Sequence, residues 1–344
     1  MTLRALGSVS RVLSIRVSTH PPGGRFGTTD LAAVTQLVAD VEARIGFRPL
    51  SDQGWVDLVH GATTTTVAVQ VTSGGDGALV GYAQATASPG DGANGTPDAD
   101  AGSRTAWTVE TVIADQAPAS VADIAEALLD TTITAIGEIG GGELNWLVQA
   151  PTDTHEALAE AHGLEQGRRL LQMRRPLPTD ISFEVATRPF DPEHDIADWV
   201  RVNARAFAWN PEQGSWTEEN VRARLAESWF DPEGFLIHER SGPDGALRMA
   251  GFCWTKVHPA TAASPALGEI YVIAVDPDFH GLGLGRALTL AGLDSLATRG
   301  ITVGMLFVDA DNTAAVTLYD KLGFTIHRTD CLYTGRVDGR VDSA

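Results

Sequence analysis

The chain has 344 residues, a formal net charge of −19, and 43% apolar against 20% charged side chains. That length suits about two domains with ample core, the apolar share excludes a disordered chain, and the acidity works against phosphate backbones and anionic lipid. Cys253 and Cys331 are the only cysteines, too few for a disulfide framework or a four-thiolate metal site, and no apolar run reaches the roughly 20 residues of a membrane span. The expectation is a cytoplasmic monomer with no nucleic-acid, membrane or metal partner.

Residues 1–12 carry Arg4 and Arg11 without an acid. They lack the apolar centre of a signal peptide and are expected to form a disordered tail. Leu13 to Pro21 alternates apolar and polar side chains and then meets a proline, the pattern of a strand and its break. Ser88 to Ser103, dense in Gly, Asp and Ala, is expected to be a mobile insertion between strands. Arg174-Arg175-Pro176-Leu177-Pro178 contains two residues without an N–H donor, so 174–180 reads as a linker.

Ile181 to Pro189 then repeats the strand-and-proline pattern of Leu13 to Pro21. Ala197 to Phe207 has helical spacing, and Thr217 is placed to cap a helix reaching Ser228, ahead of Glu218 and Glu219. Phe235 to Glu239 and Ala250 to Val257 read as antiparallel strands joined by Ser241-Gly242-Pro243-Asp244-Gly245. Glu269 to Val275 is an apolar strand, Leu284 to Arg299 a helix, and Met305 to Val308 a further strand. Asn312 to Leu322 is a helix stopped by Gly323, and Phe324 to Tyr333 closes the sheet. The fold class is α/β, a mixed sheet with helices on its faces.

The chain also matches itself. Asp52-Gln53-Gly54 aligns with Glu212-Gln213-Gly214, Val112-Ile113-Ala114 with Val272-Ile273-Ala274, and Leu147-Val148-Gln149-Ala150 with Phe307-Val308-Asp309-Ala310. These pairs keep one order and one spacing, which points to a tandem duplication. The implied organisation is a tail (1–12), a first domain (13–173), the linker (174–180), a second domain (181–335) and a C-terminal tail (336–344).

Asp276-Pro277-Asp278-Phe279-His280-Gly281-Leu282-Gly283-Leu284-Gly285-Arg286 carries the chemistry. A strand ends, three alternating glycines follow, and a helix begins. Glycines let backbone N–H groups approach an anion closely, and the helix N-terminus adds a favourable dipole, so a pyrophosphate is the natural guest. The spacing is not that of a dinucleotide fold, and a Walker lysine is absent. Glu269, at the start of the strand before this loop, is placed to act as a general base. Backbone N–H groups of Ile273, Ala274 and Val275 could polarise a carbonyl.

Together with Asp311-Asn312-Thr313-Ala314-Ala315-Val316-Thr317-Leu318-Tyr319, this loop resembles the GNAT acyltransferases. The resemblance implies two tandem acyl-CoA N-acyltransferase domains, with acetyl-CoA as co-substrate. Its binding residues would be Ile273 to Val275, His280, Gly281, Leu282, Gly283, Leu284, Gly285 and Arg286, with Asn312, Thr313, Ala314, Ala315, Val316 and Thr317. It implies Glu269 as base and Tyr319 as the acid beside the leaving sulfur.

Val202-Asn203-Ala204-Arg205-Ala206-Phe207 and Gly251-Phe252-Cys253-Trp254-Thr255-Lys256-Val257-His258 extend the likeness to a tandem branch of that family. That branch acetylates the cysteinyl amine of cysteinyl-glucosaminyl-inositol, with another small-molecule or peptide amine as the alternative acceptor here. Glu212, Lys256 and Glu269 would contact this substrate, Asp52 matches Glu212, and Phe307 stands where the branch has a tyrosine.

His280 and Gly281 also depart from the family, which has Gln or Arg and then a basic residue. Val121, Asp123 and Ala125 replace the three glycines in the first copy, Ala159 replaces the tyrosine and Val109 the glutamate. The first domain is therefore expected to be degenerate and non-catalytic.

Overall fold

The computed structural model describes residues 13–74, 77–89, 105–114, 119–242, 245–261 and 264–340. The expected tail 1–12, residues 90–103 of the expected insertion, Pro243 and Asp244 of the turn, and residues 341–344 lie outside the described residues. The chain divides into two units, one running to Arg169 and including residues from Thr329 onward, the other Leu170–Arg328.

The elements in chain order begin with β1 (Leu13–His20), α1 (Thr28–Ile45), α2 (Asp52–His60), β2 (Thr66–Ser73), β3 (Leu79–Pro89) and β4 (Thr105–Ile113). Then come α3 (Val121–Glu138), β5 (Gly141–Gln149), α4 (Asp153–Ala161) and β6 (Glu165–Pro176). The later part holds β7 (Arg188–Pro189), α5 (Ile196–Ala206), α6 (Pro211–Gly214), α7 (Glu218–Leu225), β8 (Phe235–Ser241) and β9 (Leu247–His258). It ends with β10 (Leu267–Val275), α8 (Leu284–Thr298), β11 (Val303–Asp309), α9 (Thr313–Lys321) and β12 (Thr325–Asp338).

In the first unit the strand order is β1-β2-β3-β4-β5-β12; in the second it is β6-β11-β10-β9-β8-β7. Among the described residues each unit has one parallel pair, β4 with β5 and β10 with β11. Alternation sends successive side chains to opposite faces, and both faces are buried. In the second unit Cys253, Ile270 and Leu306 pack with Leu288, Leu293 and Leu296 of α8. Phe235, Phe252, Trp254 and Val272 face the other way, against Trp199 and Val202 of α5 and Val221 of α7.

Three expectations need correction. Arg174 to Pro176, read as linker, are strand: β6 pairs with β11 from Leu170↔Asp309 to Pro176↔Val303. Pro176 costs no internal bond because it is the terminal residue of β6. Likewise Arg336 to Asp338, read as tail, belong to β12, which pairs with β5 from Asp330↔Gln149 to Asp338↔Gly141. Ile181 to Val185, read as a strand, are irregular; only Arg188 and Pro189 join β8. Ile181, Phe183 and Val185 still tuck partly into the core beside α8, so their alternation reports burial without a ladder.

Glu110 of β4 is buried in the first unit, 6% exposed. Ser51, the cap of α2, donates its N–H to Oε2 at 2.6 Å and its hydroxyl to Oε1 at 2.8 Å. A Cβ on Gly54 would stand 2.3 Å from Oε1, so a larger residue there would displace the carboxylate. Burial raises the carboxyl above its ordinary pKa despite the two Ser51 bonds, and Asp57 and Asp52 push the same way.

A raised carboxyl makes the folded state bind its proton more tightly than the unfolded state. Its ionisation therefore costs stability as pH rises from about 4.3 through the raised value. Glu110→Gln keeps an oxygen for the Ser51 N–H and removes the charge. We expect a Tm about 2–4 °C above wild type near pH 8 and no difference near pH 4. A variant less stable than wild type at both values would refute this.

Candidate active site

β10 pairs with β9 from Leu267↔His258 to Val275↔Gly251, with an irregularity between Ile270 and Val272 that leaves Tyr271 as an extra residue. Against β11 the pairs are Gly268↔Gly304, Glu269↔Met305 and Ile270↔Leu306. Among the described residues the parallel strands pair no further, although β10 runs on to Val275 and β11 to Asp309. A bulge bends its strand and ends pairing, and here it coincides with the parting. Ile273, Ala274 and Val275 thus border an opened seam where backbone N–H groups can meet a ligand.

Past Asp276 a 3-10 turn, Pro277–Phe279, leads into the glycine loop. Gly281 and Gly283 have φ of 76° and 74°, the left-handed region that glycine tolerates. A Cβ on Gly281, Gly283 or Gly285 would meet nothing within 4 Å, so the loop is an open cradle that larger residues would fill. Gly283 caps α8, whose first turn carries no acidic residue, and the amides there are placed for an anion. His280 lies on the loop with its Nε2–H toward the carbonyl of Val275 at 3.0 Å. Leu282 is 54% exposed, and Arg286 is exposed on the first turn of α8.

The loop is anchored by charge. Buried Asp276 accepts from Arg201 at 3.1 Å, from Arg205 at 3.0 Å and from the Asp278 N–H at 3.0 Å. Arg205 also reaches the Asp278 carboxylate at 2.9 Å. Burial alone would raise Asp276, but the Asp278 amide and the two guanidiniums hold it below the ordinary carboxylate range.

Asn312 caps α9 by accepting the Ala315 N–H at 3.1 Å, and Thr317 donates back to the Thr313 carbonyl at 2.7 Å. Thr313 and Ala314 are exposed on that first turn, with Val316 partly buried. Near the other end of α9, Tyr319 is 8% exposed, its ring edge-on to Phe324 with centroids 5.8 Å apart. Burial raises the phenol above its usual range, and neighbouring Cys253 adds to this. The Cys253 thiol is itself pushed up to about 12 by burial, which leaves it inert.

Glu269 sits on the opposite face of the sheet, 6% exposed, directly across from Lys256. Lys256 Nζ lies 4.7 Å from the Trp229 ring centre and 5.1 Å from that of Tyr271. Arg224 of α7 stacks on Trp216 at 4.1 Å and donates to the Tyr271 hydroxyl at 3.1 Å. His258 Nε2 is 2.7 Å from Glu269 Oε2. Phe307, two residues along β11 from Met305, lies under the Arg328 guanidinium at 5.8 Å.

The structure therefore gathers Glu269 and Lys256 on one face, beside the seam at Ile273 to Val275 and the glycine loop. Asp52 belongs to the first unit, at the start of α2, where Arg48 stands 3.8 Å away. The side chain of Glu212 lies outside the described residues, on α6. Sequence reasoning assigned no role to His258, Tyr271, Arg224, Trp216 or Trp229. His258 was within reach, since it follows Lys256 by two and so shares its face.

Among the described residues the first unit lacks the bulge and the glycine cradle. β4 pairs with β3 from Gly81↔Ile113 to Pro89↔Thr105 without a bulge, and Val109 is fully buried. In place of a glycine cradle, α3 is capped by Ser120, which accepts the N–H of Asp123 at 3.1 Å. Among the described residues no group of three or more His, Cys, Asp or Glu is placed to hold a metal ion. Among them, too, no helix is long and apolar enough to cross a membrane.

Residues 201–324 match the acetyltransferase (GNAT) family. The chain is 41% identical to a mycothiol acetyltransferase of Geodermatophilus obscurus, over 89% of this chain and 94% of the relative. It is 38% identical to a mycothiol acetyltransferase of Rhodococcus jostii, over 90% and 96%. Among solved structures, a GCN5-related N-acetyltransferase from Sphaerobacter thermophilus superposes with a TM-score of 0.62 at 19% identity, covering 95% of this chain and 97% of that one. A tandem GNAT protein from the clavulanic acid pathway gives 0.55 at 15% identity, covering 95% and 100%. Both structures share the fold.

Proposed function

The chain belongs to the mycothiol acetyltransferase family, a branch of the GNAT acyltransferases, and on that premise we propose how its residues divide the reaction. It is an N-acetyltransferase that moves the acetyl group of acetyl-CoA to the cysteinyl amine of 1D-myo-inositol 2-(L-cysteinylamino)-2-deoxy-glucopyranoside, completing mycothiol. Chemistry belongs to the second unit (Leu170–Arg328), while the first is a degenerate copy. The observation that carries this reading is a buried carboxylate, Glu269, one residue before the point where β10 and β11 part, on the strand that feeds an open glycine cradle.

Acetyl-CoA supplies an acetyl thioester and a pyrophosphate. The amides of Gly281 to Arg286 hold the pyrophosphate, with the exposed Arg286 guanidinium available to it, and the first turn of α9 (Asn312 to Thr317) flanks the cofactor. N–H groups along Ile273 to Val275 polarise the acetyl carbonyl. Glu269 takes a proton from the acceptor amine, which cannot attack as an ammonium. The Tyr319 O–H faces the departing sulfur. Lys256 and Glu212 contact the polar acceptor, and Phe307 offers it an apolar surface.

Purified protein with acetyl-CoA should acetylate cysteinyl-glucosaminyl-inositol at least tenfold faster, by kcat/KM, than an aminoglycoside or a peptide amine. The acceptor also has a thiol, so product is read by mass after hydroxylamine treatment, which strips a thioester and spares an amide. A hydroxylamine-labile product, or equal turnover of all three amines, would overturn the assignment.

A further inference from the structure

We propose that His258 is the positioning residue of Glu269, holding one carboxylate oxygen so that the other is presented to the acceptor amine. The inference rests on the reading of Glu269 as the base and extends it to a residue outside the glycine loop and the acceptor contacts named above.

His258 Nε2 lies 2.7 Å from Glu269 Oε2, and the two side chains differ in exposure, 35% for His258 and 9% for Glu269. The β9–β10 register explains the reach. Lys256 is directly across from Glu269, and His258 is two residues further along β9, the diagonal position on the same face. A carboxylate has two oxygens and a soft terminal torsion, so without a fixed donor it samples orientations that aim neither oxygen at the amine. One short charge-assisted bond removes that freedom. The acceptor is a carboxylate, so Nε2 carries the hydrogen, and in the neutral ring Nδ1 holds the lone pair.

Lys256 faces the pair from β9 and Tyr271 from β10, with Arg224 of α7 behind the Tyr271 hydroxyl. β11 presents the apolar Met305 opposite Glu269.

Steady-state kinetics of the full chain test this. H258A should lose about 10- to 100-fold in kcat with the KM for acetyl-CoA unchanged, the usual cost of a misaimed catalytic group. H258Q places an amide N–H where Nε2 was, and should recover kcat to within about threefold of wild type. The proposal is overturned if H258A keeps wild-type kcat or if H258Q is as slow as H258A. E269Q separates the two readings. A fully active E269Q removes the base itself, whereas an impaired E269Q beside a fully active H258A removes only the role of His258.

Discussion

Glu269→Gln should lower kcat by about 100- to 1,000-fold at neutral pH, with the KM for acetyl-CoA within about twofold of wild type. The substitution is nearly isosteric and keeps an oxygen to accept from His258 Nε2, so packing under the sheet is preserved. What disappears is the lone pair that takes the amine proton. An α-amine has a pKa of about 7.7–8.0, so near pH 7 most of the acceptor enters as an ammonium that cannot attack. The deficit should therefore narrow as pH passes about 8 and the amine deprotonates in solution. A pH-independent deficit would point to lost acceptor binding, and wild-type turnover would remove Glu269 from the chemistry.

The site and the fold differ in how much of each was legible in the amino-acid order. Tyr319 was singled out only through the resemblance to the family, whereas the glycine loop was readable because its backbone role is local to a contiguous stretch. Helices α5, α7, α8 and α9 were readable for the same reason: Thr217 caps α7 as expected, and its own N–H donates to Asn220 Oδ1. Strand partners are decided far away along the chain. Nothing near Arg174 announces that β11 will take it up, and the alternation of Ile181 to Val185 looks the same whether or not a ladder forms. The diagonal pairing of His258 with Glu269 needs the register of β9 on β10. The extra residue at Tyr271, which coincides with the opening of the sheet, belongs to no hydrophobic period.

Replacing Tyr319 by Phe should reduce kcat by roughly 10- to 150-fold, and the reason limits what the hydroxyl does. Burial lifts the phenol above its ordinary value of about 10, while a free thiol sits near about 8.5. Full proton transfer from that phenol to a leaving thiolate is uphill, so Tyr319 acts as a hydrogen-bond donor to developing negative charge on sulfur. A hydrogen bond to a charged acceptor contributes about 1.5–3 kcal/mol, which is the stated range in rate when it is made only in the transition state. The same argument fixes the other readouts. The ring contact with Phe324 survives in the variant, so Tm should stay within about 2 °C, and the KM for acetyl-CoA should not rise because the ground-state thioester sulfur is a poor acceptor. A loss above 1,000-fold would mean that the proton itself is delivered from Tyr319, and an unchanged kcat would mean that the sulfur departs beside some other donor.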